Sequence, residues 1–313
     1  METKTKTHSH IDLLYLAGII SLATILRIWK YHLDKPINES LFAYWASSAI
    51  SLAIIFIVYL ISLKLTENNL AALFSAALAA TIPLYSWRTV AQLTHSLAVF
   101  LFFLSVLSLL YMKEMGDWKY ALIVPLILAF VHVYALLLIP IFGIYMLLVK
   151  LERKDLSMNE IYFAIVSSVA IAGIFFFFTA TPAFFLVIEQ YIKANYYAFA
   201  VENFNITSVF AIAGLVPTYL GMFGLYLGMH ERKKSTLLML SAVISILLVL
   251  LFNLIPAKLG LPYFSLTLAT LAGFFWKTCD KTMLGTKLKR FRIPLTMLGF
   301  LIILAAGVVH FIS

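Results

Sequence analysis

Apolar runs separated by short charged gaps occupy almost the whole of this chain. About eleven can be drawn, over 11–29, 41–63, 69–87, 94–112, 120–132, 134–149, 161–180, 206–228, 236–254, 262–276 and 294–312. No Asp, Glu, Lys or Arg falls near the middle of any of them. An ionised side chain at mid-bilayer costs roughly 2.5–3.5 kcal/mol or more, so this segregation is what lipid demands. The pattern predicts an all-α, polytopic helical membrane protein, with residues 1–313 forming a single integral membrane domain. Residues 1–10 read as a cytoplasmic tail, 30–40 as the first outside loop and 181–205 as a long outside loop. That long loop mixes aromatics with a few charges and could form an amphipathic helix in the membrane interface.

The fifth and sixth runs are short for a bilayer core of about 30 Å, which needs about 20 apolar residues. Together they cover 120–149, too long for one ordinary span. Pro125 and Pro140 interrupt the stretch, and His132-Val133-Tyr134 lies between them. Charge decides between one crossing and two. With the N-terminus inside and two crossings, 17 of the 23 Lys and Arg fall on the cytoplasmic side and 6 outside. With one crossing, Lys150, Arg153 and Lys154 land outside and every later loop inverts. The excess of cytoplasmic cations predicts N-inside, C-outside and a helix pair turning near His132.

Composition narrows the function classes. Hydrophobic residues make up 63% of the chain and charged residues 12%, against about half and a quarter in soluble domains. Mean hydropathy is +0.99. The net charge of +9 sits in the short loops, where it serves orientation and contact with anionic lipid rather than nucleic acid. The lone Cys279 excludes an internal disulfide and a Cys-based metal cluster. No His-Glu-x-x-His occurs, which excludes a zincin. No small-residue cleavage site closes the first run, so the N-terminus reads as an uncleaved signal-anchor. Two sequons, at Asn38-Glu39-Ser40 and Asn205-Ile206-Thr207, lie close to the membrane on the outside, where a modifying enzyme has poor access.

Few polar groups remain outside. The acids are Asp34, Glu39, Glu189 and Glu202. The bases are Arg27, Lys30, Lys35, Arg88, Lys193 and Lys258, joined by His32, His95 and His132. A carboxylate beside a membrane cavity can act as a general base or hold a divalent cation. A Lys or Arg there can hold a lipid-linked phosphate. Each also serves as a rim residue that snorkels to water.

Three stretches go further as a set: Leu26-Arg27 through Asn38-Glu39-Ser40, the Ala-rich 71–88 followed by Thr94-His95-Ser96 to Leu101, and Leu259 to Phe264. In their order they resemble the polytopic glycosyltransferases of the GT-C superfamily, which includes protein mannosyltransferases and oligosaccharyltransferase catalytic subunits. Residues 12–112 carry most of the resemblance. His132-Val133-Tyr134 resembles a later turn in that superfamily, and Lys258 to Tyr263 a loop that often carries Arg-Tyr.

The resemblance implies transfer of a sugar from a polyprenyl phosphate or diphosphate on the extracytoplasmic face. Glu39 matches the second acid of the family's pair, and Asn38 stands where the family usually has Asp. Asp34 is the other acid in reach of a catalytic role. Arg27 matches the Arg ending the first helix. Arg88, His95, His132, Lys258 and Tyr263 are the candidates for holding substrate or lipid phosphate. Glu39 and His95 are the candidates for a divalent cation. The second run begins within a few residues of Glu39, so helices usual in the family are missing there. The alternatives are a non-catalytic relative, a lipid transporter or flippase, and an assembly subunit. The implied partners are the lipid-linked donor and the bilayer, with no nucleic acid.

Overall fold

In the computed structural model the described residues are 14–25, 41–82, 93–115, 117–180, 214–231, 233–252, 254–255 and 257–312. They are helical throughout, with no strand among them. The α-helices are α1 (Leu14–Ile25), α2 (Leu41–Thr66), α3 (Asn69–Thr81), α4 (Leu93–Met115), α5 (Trp118–Val131), α6 (Leu138–Leu151), α7 (Met158–Ala180), α8 (Leu215–Glu231), α9 (Lys234–Leu251), α10 (Ala257–Leu284) and α11 (Arg292–Ile312). Short 3₁₀ helices cover Val133–Leu137 and Lys287–Phe291. Six segments are long and apolar enough to cross a membrane: Trp45–Thr66, Leu93–Met112, Val133–Leu151, Met158–Phe177, Lys234–Leu251 and Leu259–Leu284. The expected apolar runs and the observed helices follow the same order. The largest difference is α10, which continues well past both ends of the expected 262–276. Thr278 and Thr282, where polar residues begin, bond back to carbonyls four residues earlier and stay in the helix. The interfacial helix expected within 181–205 lies outside the described residues.

The chain divides into two compact units. The first holds α1–α3, α8, α11 and the part of α10 from Ser265 on; the start of α4 up to Leu97 also belongs to it. Asn68 caps α3 by accepting from the Ala71 N–H at 3.0 Å, which satisfies one of the four orphan donors of a helix start. All ten residues from Ala71 to Ala80 are buried. Their small side chains let α2 and α10 approach closely. Ser62 of α2 and Ser75 of α3 pair at 2.9 Å, and Ser75 also donates to the Thr270 carbonyl of α10 at 3.2 Å. Gly273 faces this pair: a Cβ there would collide with Ser62 Oγ. The Ala-rich face is thus covered from within the chain. Trp276 stacks on Phe74 at 4.5 Å between ring centroids, and Gly299 of α11 leaves the space its indole fills.

The second unit holds α4 from Ala98, then α5–α7, α9 and α10 up to Phe264. Here the chain doubles back at His132. Trp118, at the start of α5, lies 6.2 Å from Tyr162 in the first turns of α7. Tyr145, midway along α6, bonds Glu160 in that same turn. The start of α5 and the middle of α6 therefore both meet the start of α7, as two helices running in opposite directions can. Extended backbone at His132 ends α5 (φ −154°, ψ 142°).

The α6–α7 turn closes with a Schellman arrangement. The Lys154 N–H bonds the Val149 carbonyl at 3.0 Å while Arg153 takes φ 52°. An L-residue in that region is strained by about 1–2 kcal/mol, and glycine is not. Arg153→Gly should therefore raise stability by about 0.5–1 kcal/mol, read as a higher unfolding temperature in detergent. A lower one would contradict this reading of the turn.

Candidate functional site

Polar and apolar ends separate within the second unit. At one end, Ser157 and Glu160 form a capping box at the start of α7. The Ser157 N–H donates to Glu160 Oε2 at 2.7 Å, and the Glu160 N–H donates to Ser157 Oγ at 3.3 Å. The same carboxylate accepts from Tyr145 Oη at 3.2 Å and from Lys234 Nζ at 3.1 Å. One buried acid thus ties the middle of α6 and the starts of α7 and α9 together. Lys150, in the last turn of α6, and Arg153, Lys154 and Lys233, in the loops, lie at this end.

The opposite end is aromatic. His132, Tyr134, Tyr263 and Phe102 form a chain of ring contacts. His132 and Tyr134 are 4.4 Å apart, Tyr134 and Tyr263 5.7 Å, and Tyr263 and Phe102 4.9 Å. The last two pairs are edge-to-face, the arrangement ring quadrupoles favour. Tyr263 is fully buried. Lys258 belongs to the first turn of α10, just before Tyr263. Exposed Phe252 and Leu254 lie on the turn leading into that helix.

His132 sits at the turn, outside both flanking apolar helices. Its Nδ1 accepts from the Tyr134 N–H at 3.2 Å, so the proton of the neutral ring is on Nε2. Burial pushes this imidazole down to about 4, and it is neutral at pH 7. A neutral imidazole with a fixed tautomer offers one hydrogen-bond donor and adds no charge to its surroundings.

Of the residues singled out from sequence, His132 and Tyr263 come together, through Tyr134. His95 is buried at the start of α4 and belongs to the first unit. Arg27, Asp34, Glu39 and Arg88 lie outside the described residues, and so does any cation site built on Glu39. Among the described residues no three His, Cys, Asp or Glu side chains gather as a metal would need.

Sequence reading overlooked two polar clusters. The capping box had a signal, Ser157-x-x-Glu160 ahead of an apolar run; the Lys234 contact, 74 residues away, had none. In the first unit, Asp280 accepts from Arg292 Nε at 2.7 Å and Nη2 at 3.0 Å, and from Asn68 Nδ2 at 3.3 Å. This locks the end of α10 to the start of α11 and to the α2–α3 turn. Lys277 meets Glu231 at 2.6 Å at the same end of that unit. The chain matches no model of a known protein family and no curated protein.

Proposed function

We propose that this chain is a multi-pass integral membrane protein, N-terminus inside and C-terminus outside, that transfers a sugar from a polyprenyl-phosphate donor on the extracytoplasmic face. The observation that carries this reading is the gathering of His132, Tyr134 and Tyr263 at one end of the second unit, on the side away from its basic loops. In the charge-based topology that end faces outward. It holds a cluster of rings and a neutral imidazole, and Lys258 stands in the first turn of the helix that carries Tyr263. Aromatic rings beside an imidazole suit a sugar, and a lysine suits its phosphate.

In this reading Glu39 or Asp34 takes the proton of the acceptor hydroxyl as the glycosidic bond to the lipid phosphate breaks. The candidates for stabilising the departing phosphate are Arg27, Arg88 and Lys258, and those for holding a divalent cation are Glu39 and His95. The double pass through 118–151 supports the orientation, because it keeps Lys150, Arg153 and Lys154 on the inside with the other basic loops.

The test is transfer from a radiolabelled polyprenyl-phosphate sugar by the full chain in proteoliposomes. Wild type is compared with Glu39→Gln and Asp34→Asn, each checked for folding. At least one variant should fall to background while remaining folded. Equal activity in all three would remove both acids from the mechanism, and an inert wild type would remove the transferase reading.

A further inference from the structure

We infer that the segment from Lys281 to Phe291 is a docking surface for anionic phospholipid headgroups. This rests on the membrane-embedded reading above. The segment carries Lys281, Lys287, Lys289 and Arg290 and no acid. All four cations are exposed, and among the described residues none has a carboxylate partner. Two of the acids nearby are held in ion pairs. Asp280 is only 2% exposed and is taken up by Arg292 and Asn68. Glu231 is taken up by Lys277. Neither of these two acids is left to offset the four exposed cations.

Apolar residues are interleaved with the cations. Leu284 is 43% exposed and Phe291 57% exposed. The 3₁₀ turn Lys287–Phe291 presents cations and a ring from one short, firmly anchored element, because Arg292 directly after it is clamped bidentately to Asp280. Cations at phosphate level with apolar side chains reaching past them match the boundary of an anionic leaflet. A soluble acidic partner would match the cations but would leave Phe291 and Leu284 without a role.

The test uses the full chain in nanodiscs of equal phosphatidylglycerol and phosphatidylcholine, followed by native mass spectrometry of the lipids retained once the disc is stripped. Wild type should retain phosphatidylglycerol preferentially. Lys287→Gln with Lys289→Gln and Arg290→Gln should lose that preference, by up to about fivefold per neutralised cation at low salt. Lys150→Gln with Arg153→Gln, in a different basic loop, should keep it. Phe291→Ser should lower retention of both lipids. An equal loss in both charge variants would overturn the assignment, because the effect would then be one of net charge. Displacement of the lipid by millimolar inorganic phosphate would also overturn it, in favour of a free-anion site. Failure of wild type to enter nanodiscs would defeat the membrane reading itself, whereas entry without lipid preference would defeat this inference alone.

Discussion

Valine in place of Gly224 should prevent α8 from packing on α10 and leave little folded protein to recover. A Cβ at that position would run into the Leu271 carbonyl oxygen, lie 2.6 Å from its carbonyl carbon and 3.0 Å from the Ala272 Cα. These are backbone atoms of the facing helix, so no change of rotamer relieves the clash. Gly221, one turn earlier, has the same constraint, with Leu268 Cβ at 2.5 Å and its carbonyl oxygen at 2.6 Å. The two glycines let the helix backbones touch, and close backbone approach is how apolar helices gain dispersion energy from one another. Overpacking costs about 1–3 kcal/mol where neighbours can give, and more where they cannot. Gly173 is the control, since nothing lies within 4 Å of its added Cβ. The measurement is the yield of monodisperse protein after extraction and its unfolding temperature. Gly224→Val should fail where Gly173→Val survives, and equal behaviour would show that the close approach is not needed.

Tyr263→Ala should be the most damaging truncation at the aromatic end. Its ring is fully buried and is the link between Tyr134 and Phe102. Deleting a buried aromatic costs about 3–5 kcal/mol through lost transfer energy and the cavity left behind. Two edge-to-face contacts go with it. Tyr263→Phe keeps the ring and removes only the hydroxyl, so it should cost about 1 kcal/mol. The pair separates packing from chemistry. If the hydroxyl takes part in holding substrate, Tyr263→Phe stays folded with a slightly lower unfolding temperature and loses transfer activity. If Tyr263→Ala unfolds no more easily than Tyr263→Phe, the ring does not hold this end together.

Much of the helix order was readable because charge is excluded from helix middles. The reversal at His132 was readable for a related reason. Pro125 and Pro140 mark an interrupted stretch, and Lys150, Arg153 and Lys154 demand a second pass to stay with the other cations. The site was readable only in fragments. His132 stood out between two short apolar runs, and Tyr263 only through the resemblance of its loop to one in a known superfamily. Phe102 could not stand out, because nothing local separates it from the chain's 26 phenylalanines. Glu160 could have been found as a helix cap, but its ion pair with Lys234 could not. The same holds for Asn68 and Asp280, 212 residues apart.

The sequence by itself determined the order of the helical segments, though not where α10 begins and ends. That follows because the expense of burying an unpaired charge acts on each segment through its own composition. Tertiary structure alone decided which acid meets which base, why position 224 must be glycine and which of many aromatics close around Tyr263. Those outcomes depend on shape matching between helices far apart in the chain, and close packing tolerates an error of hardly more than one methyl group.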